Sequence, residues 1–149
     1  MDARHFTSAP NRFISGVAID PANPNRAYVS YSGYQFNTTG LPGHVFLVTF
    51  DPTGPTATWT DLSYDLGDLP ATGVAFDNVT GDLYASSDFG VNLLQAGATS
   101  WVLAGDELPS VEVAGLTIVP SARKLFAATR SAPASAVWRI APPHSTLRK

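Results

Sequence analysis

Aromatic, acidic and histidine side chains recur in the polar segments that separate the apolar runs of this 149-residue sequence. Aromatic rings beside carboxylates suit a sugar ligand, because rings stack on the sugar face and carboxylates bind its hydroxyl groups. Two carboxylates on either side of a cleft can also hydrolyse a glycosidic bond. We therefore name a set of candidate ligand-binding residues, namely Tyr31, Tyr34, Phe36, Asn37, His44, Asp65, Asp68, Asp88 and Glu107.

A structural role competes with the ligand-binding role at several of these positions. Aspartates in turns hydrogen-bond their own backbone, and this role is favoured for Asp65, Asp68 and Asp88. Tyr34 and Phe36 lie in a long polar segment, where surface contact with a ligand is the sharper alternative. The pattern does not assign any catalytic residue.

Other kinds of chemistry have little support in the sequence. The three histidines, His5, His44 and His144, do not have the spacing of metal ligands. A Gly-x-Ser-x-Gly elbow, a glycine-rich phosphate loop and cysteine are all missing from the sequence. We expect neither a metal nor a cofactor.

Composition and charge narrow the class of protein. Hydrophobic residues make up 44% of the chain, enough for a core, whereas twelve Gly and twelve Pro disfavour long helices. Residues 27–122 contain ten acidic residues and no Lys or Arg, which disfavours a nucleic-acid partner. No apolar run approaches the roughly 20 residues that span a bilayer, so we expect no membrane partner. Residues 1–12 lack the apolar region of a signal peptide.

Three segments of the chain repeat one pattern. GVAID at Gly16, GVAFD at Gly73 and GLTIV at Gly115 are each followed by a turn and a second apolar run. A third run follows each time, and a fourth appears twice, as ATWTDL from Ala57 and TSWVL from Thr99. Such a repeat predicts one small sheet per unit.

The spacing of the repeats predicts the fold. The step from Gly73 to Gly115 is 42 residues, as is the step from Trp59 to Trp101. Four short strands per unit of about 42 residues are typical of a β-propeller blade. The step from Tyr28 to Tyr84 is 56 residues, 14 more than the other steps, and the excess falls almost wholly in a long loop, residues 31–43. In a propeller, this loop and the connections between blades share one face, where the candidate residues would gather.

The repeat resembles that of BNR, or Asp-box, propellers, a class that includes sialidase-like and xyloglucanase-like glycosidases and sortilin-type domains. The resemblance is carried by GVAIDPANP at residues 16–24, by YVS at residues 28–30 and by the Gly90-Val91 pair, and it covers residues 13–140. The Asp-box turn is degenerate: residues 49–59 keep Asp51, Gly54 and Trp59, and residues 94–101 keep only Gly and Trp. The resemblance implies that Trp59 and Trp101 are packing residues.

Three blades do not close a ring, because propellers have four to eight. The predicted organisation is an arm (1–12), a first blade (13–70), a second (71–109), an incomplete third (110–140) and a tail (141–149). The chain is then either part of a larger propeller or self-associates through its open edges. Two copies would give six blades, with His5-Phe-Thr or Ser145-Thr-Leu supplying a missing outer strand.

The predicted fold class is therefore all-β, a partial propeller of about three four-stranded antiparallel blades. The predicted function is a non-catalytic binding or scaffolding module, derived from an exported bacterial protein and directed at a glycan. We expect an extracellular or periplasmic location in the parent protein. The alternatives are part of a glycoside hydrolase whose cleft needs further blades, and a truncated reading frame without a role of its own. Sialic acid hydrolysis is disfavoured, because residues 27–122 contain no arginine for the substrate carboxylate.

Overall fold

The computed structural model describes residues 5–6, 9–35, 43–54, 56–104, 111–130 and 137–140. The fold class is confirmed as all-β: the described residues form three antiparallel sheets and one short 3-10 turn, Pro120–Ala122. The sheets follow one another along the chain, and each contains one unit of the sequence repeat.

The first sheet has five strands in the spatial order β1-β5-β4-β3-β2. Its strands are β1 (His5–Phe6), β2 (Ile14–Ile19), β3 (Arg26–Tyr31), β4 (Val45–Asp51) and β5 (Thr56–Asp61). The long loop predicted after β3 connects β3 to β4, and residues 36–42 lie outside the described part of the chain.

The second and third sheets keep the chain order of their strands. The second sheet contains β6 (Ala71–Asp77), β7 (Asp82–Ser87), β8 (Gly90–Leu94) and β9 (Val102–Leu103). The third contains β10 (Val113–Val119), β11 (Lys124–Thr129) and β12 (Val137–Ile140).

The sheets pack face to face, with β6 between β2 and β10. In the layer between the first two sheets, the Tyr28 ring stacks on Phe76 at a centroid distance of 4.5 Å. In the layer between the second and third sheets, Tyr84 takes the position of Tyr28 and packs with Leu125. The apolar alternation of the sequence therefore fills both layers, because successive residues of a strand point to opposite faces.

Glycine permits the close approach of the first strands of the sheets. A Cβ atom added to Gly16 would lie 3.1 Å from the Gly73 Cα and 3.0 Å from the Val74 nitrogen. A Cβ atom added to Gly73 would lie 4.0 Å from the Gly115 Cα, in van der Waals contact with the third sheet. We call these three residues the glycine seam. In all three sheets the pairing register shifts just before the seam glycine.

Polar contacts also join the second sheet to the third. The Thr72 hydroxyl donates to the Val113 carbonyl. The Arg123 guanidinium binds both carboxylate oxygens of Asp77, at 2.8 Å and 2.7 Å. Asp77 is fully buried and also accepts the Val79 N–H of its own turn, at 3.0 Å.

The outer strands differ from the sequence-based prediction. His5 and Phe6 pair with Thr60 and Trp59 of β5, so this segment extends the first sheet. The prediction that it supplies a missing outer strand concerns an assembly of two copies and stays a prediction; within one chain the segment adds a fifth strand to a sheet that already has four. The alternative segment, Ser145-Thr-Leu, lies outside the described residues.

The glycine seam makes a prediction about stability. Gly16→Ala should lower the free energy of unfolding by about 1–3 kcal/mol, because the new methyl group meets backbone atoms of the second sheet. Gly54→Ala is the matched control, since a Cβ atom there meets nothing within 4 Å. Urea denaturation measures both variants, and equal loss of stability in the two would contradict the close approach.

The ion pair between Asp77 and Arg123 makes a second prediction. Arg123→Met should cost about 1–2 kcal/mol, because it leaves a buried carboxylate without its charged partner. Arg130→Met breaks a solvent-exposed pair with Glu112 and should change stability by less than about 0.5 kcal/mol. Thermal unfolding compares the two variants. A loss at Arg130 as large as that at Arg123 would refute the assigned role.

Candidate functional site

Two strand ends of the first sheet and the connection that follows the sheet bring candidate residues together. Tyr31 ends β3, and His44 lies just before β4. Since these strands are antiparallel, the two residues lie opposite each other, and the Tyr31 N–H donates to the His44 carbonyl at 2.8 Å. Asp68 reaches the same place from the connection between β5 and β6. The structure thus joins three of the predicted residues in one cluster.

His44 is the buried centre of this cluster. Its side chain is fully buried, with Nε2 3.0 Å from a carboxylate oxygen of Asp68 and Nδ1 3.4 Å from the Tyr31 carbonyl. Burial lowers the pKa of His44, and the hydrogen bond to Asp68 only partly opposes this. A neutral ring that donates Nε2–H to Asp68 satisfies the shorter contact.

Two side chains of opposite charge hold the ends of the long loop. The Arg12 guanidinium donates to the carbonyls of Gly43, at 2.6 Å, and Gly33, at 2.9 Å. Gln35 lies in the same loop, and its N–H donates to Asp68 at 2.6 Å. This hydrogen bond lowers the pKa of the Asp68 carboxyl group. Backbone on both sides of residues 36–42 is therefore fixed by charge-assisted hydrogen bonds.

The start of β4 requires glycine and a hydroxyl group. Gly43 has φ of +40°, and a Cβ atom there would overlap the Ser63 hydroxyl at 2.2 Å. The Ser63 hydroxyl accepts the N–H groups of His44 and Val45, at 2.6 Å and 3.1 Å. Asp61 in turn accepts the Ser63 N–H at 2.9 Å. Asp61 and Ser63 thus hold the backbone of His44 through successive hydrogen bonds.

The two tyrosines of the loop have opposite environments. Tyr31 is fully buried against Phe46, and burial raises the pKa of its phenol. The phenolic oxygen of Tyr31 has no hydrogen-bond partner among the described residues. Tyr34 is 44% exposed and lies between Gly33, held by Arg12, and Gln35, held by Asp68. An exposed ring on such an anchored backbone is suited to contact a ligand.

The remaining candidate residues lie apart from this cluster or outside the described part of the chain. Asp65 binds the Ser100 hydroxyl at 2.5 Å and the Trp101 N–H at 2.8 Å, so it fixes the turn before β9. Asp88 is exposed in the β7–β8 turn, where the Ser87 hydroxyl accepts the Phe89 N–H. Three candidates lie outside the described residues, namely Phe36, Asn37 and Glu107.

Backbone binding is the common role of the aspartates. Among the described residues, seven aspartates accept a backbone N–H: Asp20, Asp51, Asp61, Asp65, Asp68, Asp77 and Asp82. Hydrogen bonds from hydroxyl and N–H groups lower the carboxyl pKa of Asp51, Asp65 and Asp68. Burial would raise the pKa of Asp77, but Arg123 and the turn hydrogen bonds outweigh it and the pKa is lowered. The four carboxyl groups with a lowered pKa, at Asp51, Asp65, Asp68 and Asp77, are therefore ionised, whereas a general acid needs a raised pKa.

A cleft of about 210 Å³ lies between the first two sheets, away from the cluster. Its walls are mostly apolar and include Tyr28, Leu47, Leu62, Tyr64, Leu83 and Leu94. No predicted site residue lines it, so its position gives no support to the sequence-based site.

The described residues contain neither a candidate metal centre nor a helix that could span a membrane. No group of three His, Asp or Glu side chains within that part of the chain could hold a metal ion. The same residues contain no helix long and apolar enough to cross a membrane.

Sequence reasoning missed Arg12 and Ser63 as members of the cluster. Arg12 is one of three arginines that precede residues 27–122, which contain no Lys or Arg. Any cation that binds the acidic loops of that segment must come from outside it, and this could have pointed to Arg12. Nothing in the sequence marks Ser63, because its role depends on the pairing of β4 with β5.

The buried histidine makes the stability of the chain depend on pH. The folded-state pKa of His44 is lowered, so the unfolded chain takes up a proton near pH 6.5 that the folded chain binds only at lower pH. Stability should be complete above that value and fall, by at most about 1.4 kcal/mol per pH unit, as the pH drops through it. In His44→Gln this fall should shrink when urea denaturation is followed from pH 7.5 to 5. An unchanged slope would show that another group is responsible.

Comparison with known protein families and with curated proteins finds no match for this chain. The resemblance to Asp-box propellers therefore depends on the repeated sequence pattern.

Proposed function

We propose that the chain is a non-catalytic binding module, built from three β-propeller blades of the Asp-box type. The three stacked sheets with repeated register shifts support the blade interpretation. On this proposal the chain derives from an exported bacterial protein and acts outside the cell or in the periplasm.

The proposed ligand is a carbohydrate, and Tyr34 is its stacking platform. One observation carries this assignment: Tyr34 is exposed, and both neighbouring residues are held by charged side chains. Because the backbone on both sides of the ring is already held, binding costs little further backbone entropy. Asp68 lies at the base of the same loop as an ionised hydrogen-bond acceptor for sugar hydroxyl groups.

The carboxylates favour binding over hydrolysis. Both hydrolytic mechanisms need a protonated carboxyl group beside the scissile bond. All four carboxyl pKa shifts that are resolved among the described residues are downward, at Asp51, Asp65, Asp68 and Asp77. A hydrolase would need its acid from residues beyond these.

Titration with xyloglucan-derived and cello-oligosaccharides tests the proposal. We expect weak, saturable binding by NMR chemical-shift perturbation, and Tyr34→Ala should weaken it at least tenfold, because stacking is lost. Phe50→Ala is the matched control. The exposed fraction of Phe50, 43%, is nearly that of Tyr34, 44%, but Phe50 lies on β4 and not in the loop. Binding equally reduced by both variants, or no binding at millimolar sugar, would refute the proposed ligand. Release of reducing ends from the same sugars would instead support the hydrolase.

A further inference from the structure

The first sheet exposes an apolar face that is buried in the second sheet and half-buried in the third, at Leu116 and Ile118. Val74 and Phe76 of β6 are each 8% exposed, because they pack against the first sheet. In β2 the residues at the same repeat positions are Val17 and Ile19, which are 58% and 66% exposed. Phe13, just before β2, is 77% exposed. We call Phe13, Val17 and Ile19 the open face.

The opposite end of the stack has an unexplained glycine. At Gly16 the absent side chain makes room for the next sheet, and a Cβ atom at Gly73 would be in van der Waals contact with the next sheet, 4.0 Å from the Gly115 Cα. Gly115 occupies the same repeat position, but a Cβ atom there meets nothing within 4 Å. Among the described residues, therefore, no neighbour requires glycine at residue 115, whereas a fourth sheet that packed on the third as closely as β6 packs on Gly16 would require it.

The outer face of the third sheet has residues like those on which the next sheet packs within the chain. Where one sheet receives the next, its first strand offers a small residue and its second an aromatic ring, as with Ala18 and Tyr28. At these positions the third sheet has Thr117, which is exposed, and Phe126, which is half-buried. Thr117 and Phe126 pair across β10 and β11, just as Ala18 and Tyr28 pair across β2 and β3.

We propose that the open face docks on the third sheet of a second copy of this chain, with Gly115 of one copy against Gly16 of the other. The contact repeats the two interfaces within the chain, and it rests on the blade interpretation proposed above. It is heterologous, because different surfaces of the two copies meet. Two such contacts close a ring of six sheets.

The mass in solution is the first test. Light scattering during size exclusion should give about 31 kDa, twice the 15.7 kDa of one chain. Ile19→Asp and Gly115→Leu should each give a monomer with an unchanged far-UV spectrum, because the first charges the open face and the second fills the seam. Val79→Asp is the matched control: Val79 is 62% exposed but lies in the β6–β7 turn, and the dimer should persist.

Mixing the two monomeric variants tests the direction of the contact. Each variant retains one intact surface, so the mixture should associate through one contact, more weakly than the natural dimer. A monomeric natural chain would overturn the proposal, and so would a dimer that survives Gly115→Leu. Sugar binding by a monomer would leave the proposed function intact, so the two failures can be distinguished.

Discussion

Close contact between the first strands of successive sheets is the constraint on which the rest of the structure depends. Gly16 brings β2 to the backbone of β6, and Gly73 brings β6 toward β10. At this separation, the rings of Tyr28 and Phe76 can stack, and the Thr72 hydroxyl reaches the Val113 carbonyl. A side chain at Gly16 would separate the first two sheets and weaken the stacking of the two rings, since interiors are packed at crystal-like density.

Polar side chains fix the connections between the strands that the glycine seam brings together. Most of the aspartates bind backbone N–H groups, and the carboxyl groups whose pKa is lowered are held ionised by these contacts. Asp77 and Arg123 extend this role across two sheets. At the end of the first sheet, Arg12 and Asp68 hold one loop from opposite sides. The acidic composition therefore serves chain geometry, and Asp68 also binds the backbone of Gln35, the residue after the exposed Tyr34.

The repeat predicted the strands well, because apolar alternation and turn residues are local signals. The fourth strand of the second unit shows the limit. The sequence from Thr99 predicts a full strand, but only Val102–Leu103 pair with β8. The Trp101 N–H is taken by Asp65 and its indole by the Leu62 carbonyl, so these groups do not join the ladder. Such competition comes from a residue 36 positions away, and a local pattern does not contain it.

The same reason explains what was missed at the candidate site. Tyr31, His44 and Asp68 were predicted from their places in loops, and the structure brings them together. Arg12 joins them from 31 residues before Gly43, through a carbonyl that every residue type possesses. A long-range hydrogen bond to a backbone carbonyl does not constrain the residue type of the acceptor, so the sequence around the acceptor does not predict it.

The most direct test of this account is a two-dimensional NOE spectrum of the folded chain. Tight packing of the first strands predicts cross-peaks from the Gly16 α protons to those of Gly73 and to the Val74 amide proton. Their absence, with cross-peaks within each sheet intact, would show separate sheets without a seam and would contradict the account.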